Sequence, residues 1–422
     1  MVGAESDDPK VRSSVLDVLS YDLLVDLTGA GEAFSSLAEL RFRCRHEGVS
    51  VFADLQAVEV RRVVLNGADV TSGHLNRDGR LELPQLAGEN RLIVEAEFAY
   101  VETGSGLYRV RDVEAGFGCV YSKSSCGGAT RIFCCFDQPD LRAPITLNVR
   151  CPAGWCCRAN FPAVTRPRDG EAGVWRFAPT PPLAPYMLAF CAGSDHGTVA
   201  TTVVDGVRPI PLTVWTPAAG GQPVGANTLA ELVRRPLRYY ANALGIDYPY
   251  PKCDLVFVPR FPALAFSPPG LSTLQDQLLE TSESRPALYL ACVIAHELAH
   301  TWFGGVLDMR YEHDMWLQEA LATYLSRTAL QETQPGSTPW TSATSRSLPD
   351  HTYAKDAAVV RQLEETIGQR ALLSGLSALM DRYNHSTITL DDLVRSWSES
   401  SGRDLRRWAA QALITPDRAR TE

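Results

Sequence analysis

Two histidines stand four residues apart, with a glutamate directly after the first, in the segment VIAHELAHTWFGG at 293–305. Zinc in a hydrolase takes three protein ligands and keeps one position open for water. His296 and His300 can supply two of those ligands, and Glu297 can accept a proton from the water. Because the metal lowers the pKa of bound water from 15.7 to about 7, that water is a nucleophile at neutral pH. The segment therefore predicts a hydrolytic zinc centre.

The segment is predicted to lie on a helix that holds both histidines on one side. Ser284 can cap the start of this helix, and Pro286 fits its first turn, where a missing N–H breaks no hydrogen bond. Gly304 and Gly305 predict its end. A spacing of four residues is close to one helical turn, so both imidazoles are expected to face the same way.

A third ligand follows in the segment DMWLQEALATYLS at 314–326. Glu319 lies 19 residues after His300, on a second segment with an apolar pattern. The motif HExxH, followed after eighteen residues by a glutamate, defines the gluzincin arrangement, which leaves the fourth metal position open. We therefore expect one Zn2+ ion per chain, held by His296, His300 and Glu319. Asp314 is a candidate to orient one of the ligand histidines.

Four motifs in this order resemble those of the aminopeptidase-N-like gluzincins, a family that also includes the leukotriene-epoxide hydrolases. HELAHTWFGG resembles the family's HExxHxWFGN, and DMWLQEALATYLS resembles its LWLNEGFATYLS. IFCCFDQPDLRAPITLNVRCPAGW, at 132–155, is similar to FPCFDEPxxKAxFxLxVxxPxGW. TYAKDAAVVRQLEETIG, at 352–368, is similar to YxKGAxVLxMLExxxG. The resemblance implies that Tyr353 is the catalytic tyrosine, whose hydroxyl stabilises the oxyanion of the tetrahedral intermediate.

The strand and helix patterns divide the chain into two parts. Up to about residue 215, short runs rich in β-branched and aromatic residues alternate with turn formers. TPAAGGQPVGAN, at 216–227, makes a break, and helical spacing of apolar residues dominates beyond it. We predict an α+β protein with an N-terminal antiparallel β-sandwich domain, 1–215, and a mostly helical zinc catalytic domain, 216–422. The resemblance implies that the N-terminal domain is saddle-like and packs on the catalytic domain. It also implies that the catalytic domain is thermolysin-like and that the family's C-terminal helical domain is absent.

The segment that selects a free α-amine in the family differs in this chain. The family uses the glutamate of a GAMEN sequence, and the Pro-Gly-Leu that follows it aligns GAMEN with residues 264–268. Ser267 takes the place of the carboxylate, and a hydroxyl cannot balance an ammonium ion in a desolvated site. Pro268 also lacks the backbone N–H that an edge strand offers a peptide. Ala265, Phe266 and Ser267 are therefore candidate substrate-binding residues that do not select an amine.

Three further differences lie around the predicted site. Lys123 aligns with the glutamine by which the family's N-terminal domain holds the amine; the alternative interpretation is a solvated loop lysine. At the aligned position a lysine repels an ammonium ion and attracts a carboxylate or phosphate. Asp356 replaces the glycine of YxKGA. Residues 331–351 form a shorter segment than the family's, which is helical there and walls the pocket.

Charge and hydropathy exclude several classes of partner. The formal net charge of −9, without a run of Lys and Arg, argues against nucleic acid. No run of about 18 apolar residues predicts a membrane span. The polar start MVGAESDDPKVRSS lacks the apolar core of a signal peptide, so we expect a cytoplasmic protein. Of the 11 cysteines, 7 lie between Cys119 and Cys157 without a CxxC pair, and we interpret them as reduced core residues.

Three functions are consistent with these residues. The first is a zinc peptidase, related to the aminopeptidases, with relaxed recognition of the N-terminus. The second is a zinc hydrolase of a modified or non-peptide small metabolite, such as an amide, ester or epoxide. The third is a binding protein or pseudoenzyme with a structural zinc, against which Glu297 argues because a structural site needs no general base. We predict a metallohydrolase whose catalytic groups are kept and whose substrate selection is altered.

Overall fold

The computed structural model describes residues 9–71, 79–112, 117–194, 196–204, 208–217, 225–280, 287–333 and 351–413. Contacts divide the chain into two compact units, 1–196 and 197–422. No helix in the described ranges is both long enough and apolar enough to cross a membrane.

The first unit is built from β-strands, which follow one short helix, α1 (Pro9–Val15). Its strands are β1 (Leu16–Asp26), β2 (Ala33–Cys44), β3 (Val51–Asp54), β4 (Glu59–Leu65), β5 (Ala68–Asp69), β6 (Arg80–Leu83), β7 (Glu89–Ala99), β8 (Gly106–Asp112), β9 (Phe117–Lys123), β10 (Ile145–Cys151), β11 (Cys156–Ala159), β12 (Ala163–Thr165), β13 (Gly173–Phe177) and β14 (Phe190–Gly193).

Most of these strands form two sheets. One sheet has eight strands in the order β12-β13-β10-β1-β2-β7-β4-β5, and the other has four in the order β11-β14-β9-β8. Buried residues recur at every second position along β2 and β7, as expected for strands with one face on a core. β1 and β10 pair in parallel, which departs from the wholly antiparallel arrangement predicted from the sequence. Parallel partners lie far apart along the chain, so local turn signals do not reveal them.

The cysteine-rich part of the first unit lies in its core. Cys119, Cys134, Cys135 and Cys157 are buried, whereas Cys156 is exposed. Within the described residues, the cysteines are free and form no group of three or more metal donors. Their burial agrees with the interpretation of these residues as small core hydrophobes.

The second unit combines a mixed sheet with helices, so the two units together confirm the predicted α+β class. The remaining strands are β15 (His196–Val204), β16 (Pro209–Pro217), β17 (Cys253–Val258), β18 (Ala265–Phe266), β19 (Leu271–Gln275), β20 (Leu307–Met309) and β21 (Ser386–Ile388). The helices are α2 (Ala226–Leu244), α3 (Ala287–Ala299), α4 (Trp316–Thr333), α5 (His351–Ile367), α6 (Gln369–Arg382), α7 (Leu390–Ser401) and α8 (Arg406–Ala412).

Five strands of this part form one sheet in the order β15-β16-β17-β19-β18. β16, β17 and β19 run parallel to one another, and β18 is antiparallel to β19. The division between the units, at 196/197, therefore precedes the boundary at 215/216 expected from the sequence. β15 and β16 have the same strand pattern as the first unit. Their pairing with the strands of the second unit, which the pattern does not specify, decides to which unit they belong.

The helix α3 is held firmly by its neighbours α2 and α4. Ala291, Cys292 and Ala295 of α3 form a buried cluster with Leu330 of α4. Tyr240 of α2 donates a hydrogen bond to the carbonyl oxygen of Ala295 at 2.7 Å. Close packing of this kind tolerates little movement, so α3 and α4 hold the side chains that face each other at fixed positions.

Candidate metal centre

The HExxH segment forms the end of α3 and the turn after it. His296 and Glu297 lie in the last turn of α3, and His300 is the first residue beyond the helix. The N–H of Gly305 donates to the carbonyl of His300 at 3.0 Å, which closes this turn. The glycine pair thus ends the segment where the sequence predicts, although regular helix stops at Ala299.

Glu319, in the first turn of α4, meets both histidines. Its Oε2 lies 3.2 Å from Nε2 of His296, and its Oε1 lies 3.5 Å from Nε2 of His300. The two Nε2 atoms are 3.2 Å apart. In the described part of the chain, this is the group of three or more metal-donor side chains whose ligand atoms lie within 4.8 Å of one another. The structure therefore brings together the three side chains predicted as metal ligands.

These donor atoms fit the size and preference of a zinc ion. Zn–N and Zn–O bonds of about 2.0–2.2 Å, at a tetrahedral angle, separate two ligand atoms by about 3.3 Å. The two Nε2 atoms, 3.2 Å apart, lie close to that value, and each has a different oxygen of Glu319 within 3.5 Å. With one ligand atom counted for each side chain, the three atoms lie within 4.8 Å of one another. Two imidazoles and one carboxylate are also the ligand types of a hydrolytic zinc site with one open position.

The charges of the cluster are arranged to hold a cation. Burial lowers the pKa of His300, but the neighbouring Glu319 and Glu297 carboxylates and the Phe303 carbonyl outweigh it and raise this pKa to about 9. Burial raises the pKa of Glu319, but the two imidazoles outweigh it and hold the pKa of this carboxyl well below its usual range. A carboxylate that stays ionised while partly buried needs a positive partner, which a divalent cation supplies.

The outer ring nitrogen of each histidine has a hydrogen-bond partner of its own. Nδ1 of His300 donates to the carbonyl oxygen of Phe303 at 3.0 Å, because a carbonyl can only accept. Nδ1 of His296 lies 3.3 Å from the hydroxyl Oγ1 of Thr323. In both rings the Nε2 atom is thereby directed to the cluster, as a metal ligand requires.

From the sequence, Asp314 was the expected orienting residue, and Thr323 was not foreseen. Asp314 is buried, and its Oδ1 atom lies 3.8 Å from Nε2 of His313 rather than at a ligand histidine of the described structure. Thr323 follows Glu319 by four residues on α4, so the two share one side of the helix. That four-residue spacing from a predicted metal ligand is the signal in the sequence by which Thr323 could have been found.

Glu297 is half-buried beside the ligand group. Its charge is among those that raise the pKa of His300, which places its carboxylate within electrostatic range of that ring. The three converging ligand atoms belong to other side chains. Glu297 is therefore a neighbour of the ligand group and not one of its three members.

Ala265 and Phe266 form β18, at the edge of the five-stranded sheet, and β18 packs against α3. The carbonyl of Leu264 accepts a hydrogen bond from the N–H of Gln275 on β19 at 2.9 Å. Hydrogen-bonding alternates along an antiparallel pair, so the N–H and C=O of Ala265 point away from β19. Among the described strands, none pairs with that free edge.

Ser267 directly follows β18 and is half-buried. Its hydroxyl donates to Oγ of Ser272 at 2.9 Å. A turn joins β18 to β19, closed by the N–H of Leu271 on the carbonyl of Pro268 at 3.2 Å. The position that aligns with the family's amine-binding glutamate thus carries a neutral side chain that is engaged within the protein.

Lys123 ends β9 in the first unit and is half-buried. Burial lowers the pKa of its ammonium group. The ion pairs found among the described residues do not include one with Lys123.

Several predicted features fall wholly or partly outside the described residues. Ser284 and Pro286, the predicted start of the motif helix, lie there, as do residues 334–350 of the segment expected to replace the family's pocket wall. Tyr353 lies in the first turn of α5, where the structure describes its backbone but not its side chain. Asp356, in the next turn of α5, is buried.

Comparison with known proteins identifies two family matches. Residues 18–187 match the model described as Peptidase M1 N-terminal domain, and residues 229–350 match that of the Peptidase family M1 domain. The aminopeptidase N of Streptomyces lividans is 33% identical over 97% of this chain and 51% of its own length.

Two further relatives show more distant similarity. The probable aminopeptidase 1 of Sulfurisphaera tokodaii is 28% identical over 68% of this chain and 40% of its own length. The leucyl aminopeptidase of Saccharolobus solfataricus is 23% identical over 95% of this chain and 54% of its own length. The chain therefore spans about half the length of the curated relatives that it matches.

Proposed function

This chain belongs to the aminopeptidase-N-like gluzincin family, and from that premise we propose that it hydrolyses peptide or amide bonds with one zinc ion per chain. The observation that carries the proposal is the convergence of His296, His300 and Glu319, whose ligand atoms lie within 4.8 Å of one another. A zinc ion bound there would lower the pKa of a water molecule and polarise the scissile carbonyl.

The remaining steps fall to side chains of this chain. Glu297 accepts a proton from the attacking water and returns it to the leaving amine. Tyr353 donates a hydrogen bond to the oxyanion of the tetrahedral intermediate, a role that rests on the family motif. Histidine–carbonyl and histidine–hydroxyl contacts hold the two imidazoles in place while these proton transfers occur.

We infer that substrate selection does not depend on a free α-amine. Ser267 supplies no negative charge where the family's glutamate would stand, and its hydroxyl is bonded to Ser272. An ammonium ion placed against it would lose water without gaining a carboxylate. Substrates that are blocked, neutral or anionic on the amine side of the scissile bond are therefore favoured.

The edge of β18 supports an extended substrate. The outward N–H and C=O of Ala265 can pair with a substrate backbone as an added strand, and Phe266 offers apolar contact beside it. β18 ends at Phe266, and the turn closed on the carbonyl of Pro268 follows it, so the paired segment is short. Pro268 itself stands in this turn, so its missing N–H is not the next donor on the free edge after Ala265. Lys123, which aligns with the family's amine-binding glutamine, is proposed to attract a carboxylate or phosphate of the substrate, a role that rests on that alignment alone.

A second candidate is hydrolysis of a modified or non-peptide metabolite at the same centre. Its support is also the neutral side chain of Ser267, because a site that does not recognise an α-amine is not restricted to peptides. An ester or epoxide would use the same Glu297-assisted attack of water. The two candidates differ in substrate and not in the catalytic residues.

The test combines metal content with turnover. Protein purified without chelator should contain about one zinc per chain, and the double variant His296→Ala, His300→Ala should contain almost none. Glu297→Gln should keep its zinc and lose at least about 100-fold in kcat on an N-blocked peptide anilide. Glu399→Gln, the same change on the exposed face of α7, is the matched control and should be as active as wild type.

Two outcomes would contradict the proposal. Unchanged zinc content in the double histidine variant would remove the metal centre. Full activity of Glu297→Gln would remove its role as general base. Parallel assays with free-amine anilides, small esters and epoxides separate the peptidase from the second candidate.

A further inference from the structure

We propose that Thr323 is a positioning residue for the metal ligand His296, and that its hydroxyl holds the imidazole in the tautomer that binds zinc; this inference rests on the proposed zinc function. The contact joins Oγ1 of Thr323 to Nδ1 of His296 at 3.3 Å. Thr323 is 3% exposed, so water does not compete freely for this hydrogen bond.

One helix holds both ring nitrogens of His296. Nε2 of the ring lies 3.2 Å from Oε2 of Glu319, and Nδ1 meets Thr323, four residues further along α4. Positions four apart on a helix lie side by side, so a single rigid element contacts the imidazole at both ends. The orientation of His296 is therefore set by α4, although the residue itself belongs to α3.

The two ligand histidines have different kinds of partner. The carbonyl of Phe303 can only accept, so Nδ1 of His300 carries a proton throughout. The hydroxyl of Thr323 can accept or donate. It can donate to Nδ1 of His296 while Nε2–H is bonded to Glu319, and it accepts from Nδ1–H when Nε2 offers its lone pair to a metal.

This difference makes Thr323 the adaptable partner of the pair. Metal binding requires an imidazole whose Nε2 atom is unprotonated, and an outer partner that accepts from Nδ1–H stabilises that form. An apolar group in place of the hydroxyl leaves Nδ1–H buried without an acceptor when zinc is bound. Loss of the hydroxyl should therefore weaken zinc binding more than it weakens the fold.

The experiment measures zinc affinity by competition with a chromophoric chelator. Thr323→Val keeps the shape and removes the hydroxyl, and it should weaken zinc binding about 10–100-fold. Thr323→Ser restores the hydroxyl and should return the affinity to near that of wild type. Thr328→Val is the matched control, because Thr328 is buried on α4 but donates to the carbonyl of Tyr324 at 2.9 Å.

Thermal unfolding of each metal-free variant shows whether it is folded. Should Thr323→Val not fold, Thr323→Ala removes the same hydroxyl without new bulk and should show the same loss of affinity. Equal zinc affinity in wild type and a folded hydroxyl-free variant would overturn the role of Thr323 and leave the proposed zinc function standing. An equal loss in Thr328→Val, or no rescue by serine, would also overturn it. A wild-type chain that binds no zinc would overturn the proposed function as well.

Discussion

The substitution Ser267→Glu tests whether one side chain accounts for the proposed loss of amine recognition. It restores the carboxylate found at the aligned position in the family. If Ser267 is the cause, the variant should turn over free-amine substrates better relative to N-blocked ones. The matched control is Ser267→Gln, which has nearly the same size and no charge.

The magnitude follows from the contacts of the serine. Either substitution removes the 2.9 Å hydrogen bond between Ser267 and Ser272, at a cost of about 1 kcal/mol that is common to both. Only glutamate adds a hydrogen bond from a charged ammonium donor to a charged acceptor, worth about 1.5–3 kcal/mol. At about 1.4 kcal/mol per tenfold, the selectivity of the two variants should differ by about 10–150-fold. Pro268 limits the gain if it displaces the new carboxylate.

The assay is kcat/KM for matched anilides with a free and an acetylated amine. Wild type and Ser267→Gln should show no preference for the free amine, and Ser267→Glu should show one. A wild-type preference of tenfold or more, about 1.4 kcal/mol, would refute the reasoning. So would identical selectivity in the glutamate and glutamine variants, since charge would then not be the deciding property.

Four further changes test the catalytic and structural assignments. Tyr353→Phe should lower kcat by the equivalent of about 2.7–4 kcal/mol with little change in KM, and a change in KM alone would contradict an oxyanion role. Gly305→Ala would place a Cβ atom 2.3 Å from a backbone oxygen, so we expect a lower Tm from overpacking of about 1–3 kcal/mol. An unchanged Tm would show that the turn relaxes. Lys252→Met removes an ammonium group 2.6 Å from the buried Asp254 carboxylate and should cost about 3–5 kcal/mol in urea unfolding. Adding Asp254→Asn should recover part of that loss, and no recovery would contradict the ion-pair explanation. In metal-free protein, His300 has a pKa of about 9, above its ordinary value of 6.5. Its contribution to the free energy of unfolding should be complete below about pH 6.5 and disappear as the pH rises through about 9. Urea titrations of wild type and His300→Gln at pH 6 and 9.5 should therefore differ more at pH 6.

The sequence alone determined the identity of the proposed metal ligands. The spacing of His296 and His300 is set by the helical repeat, so their side chains had to face the same way. The motif around Glu319 placed the third ligand on a second helix. The β-rich first half could also be predicted from the sequence. Strands with one buried face, such as β2 and β7, place apolar residues at every second position.

Tertiary structure decided which groups meet across elements. The pairing of β15 and β16 with the sheet of the second unit moves the division between the units about twenty residues from the expected boundary. The parallel pairing of β1 with β10 could not be predicted from the sequence either, because no local signal identifies strand partners so far apart along the chain. Strand patterns specify a buried face but not the neighbouring strand.

The metal ligands could be predicted from the sequence, whereas the groups that orient them could not. Ligand types and spacing are local properties, whereas the partner of a ring nitrogen depends on which element packs beside it. From the sequence, the carboxylate of Asp314 was expected to orient a ligand histidine. In the structure, the carbonyl of Phe303 contacts Nδ1 of His300, and the hydroxyl of Thr323 contacts Nδ1 of His296. The packing of α3 against α4 selected Thr323, because hydrogen bonds form between groups that the fold brings within about 3 Å, whatever their separation along the chain.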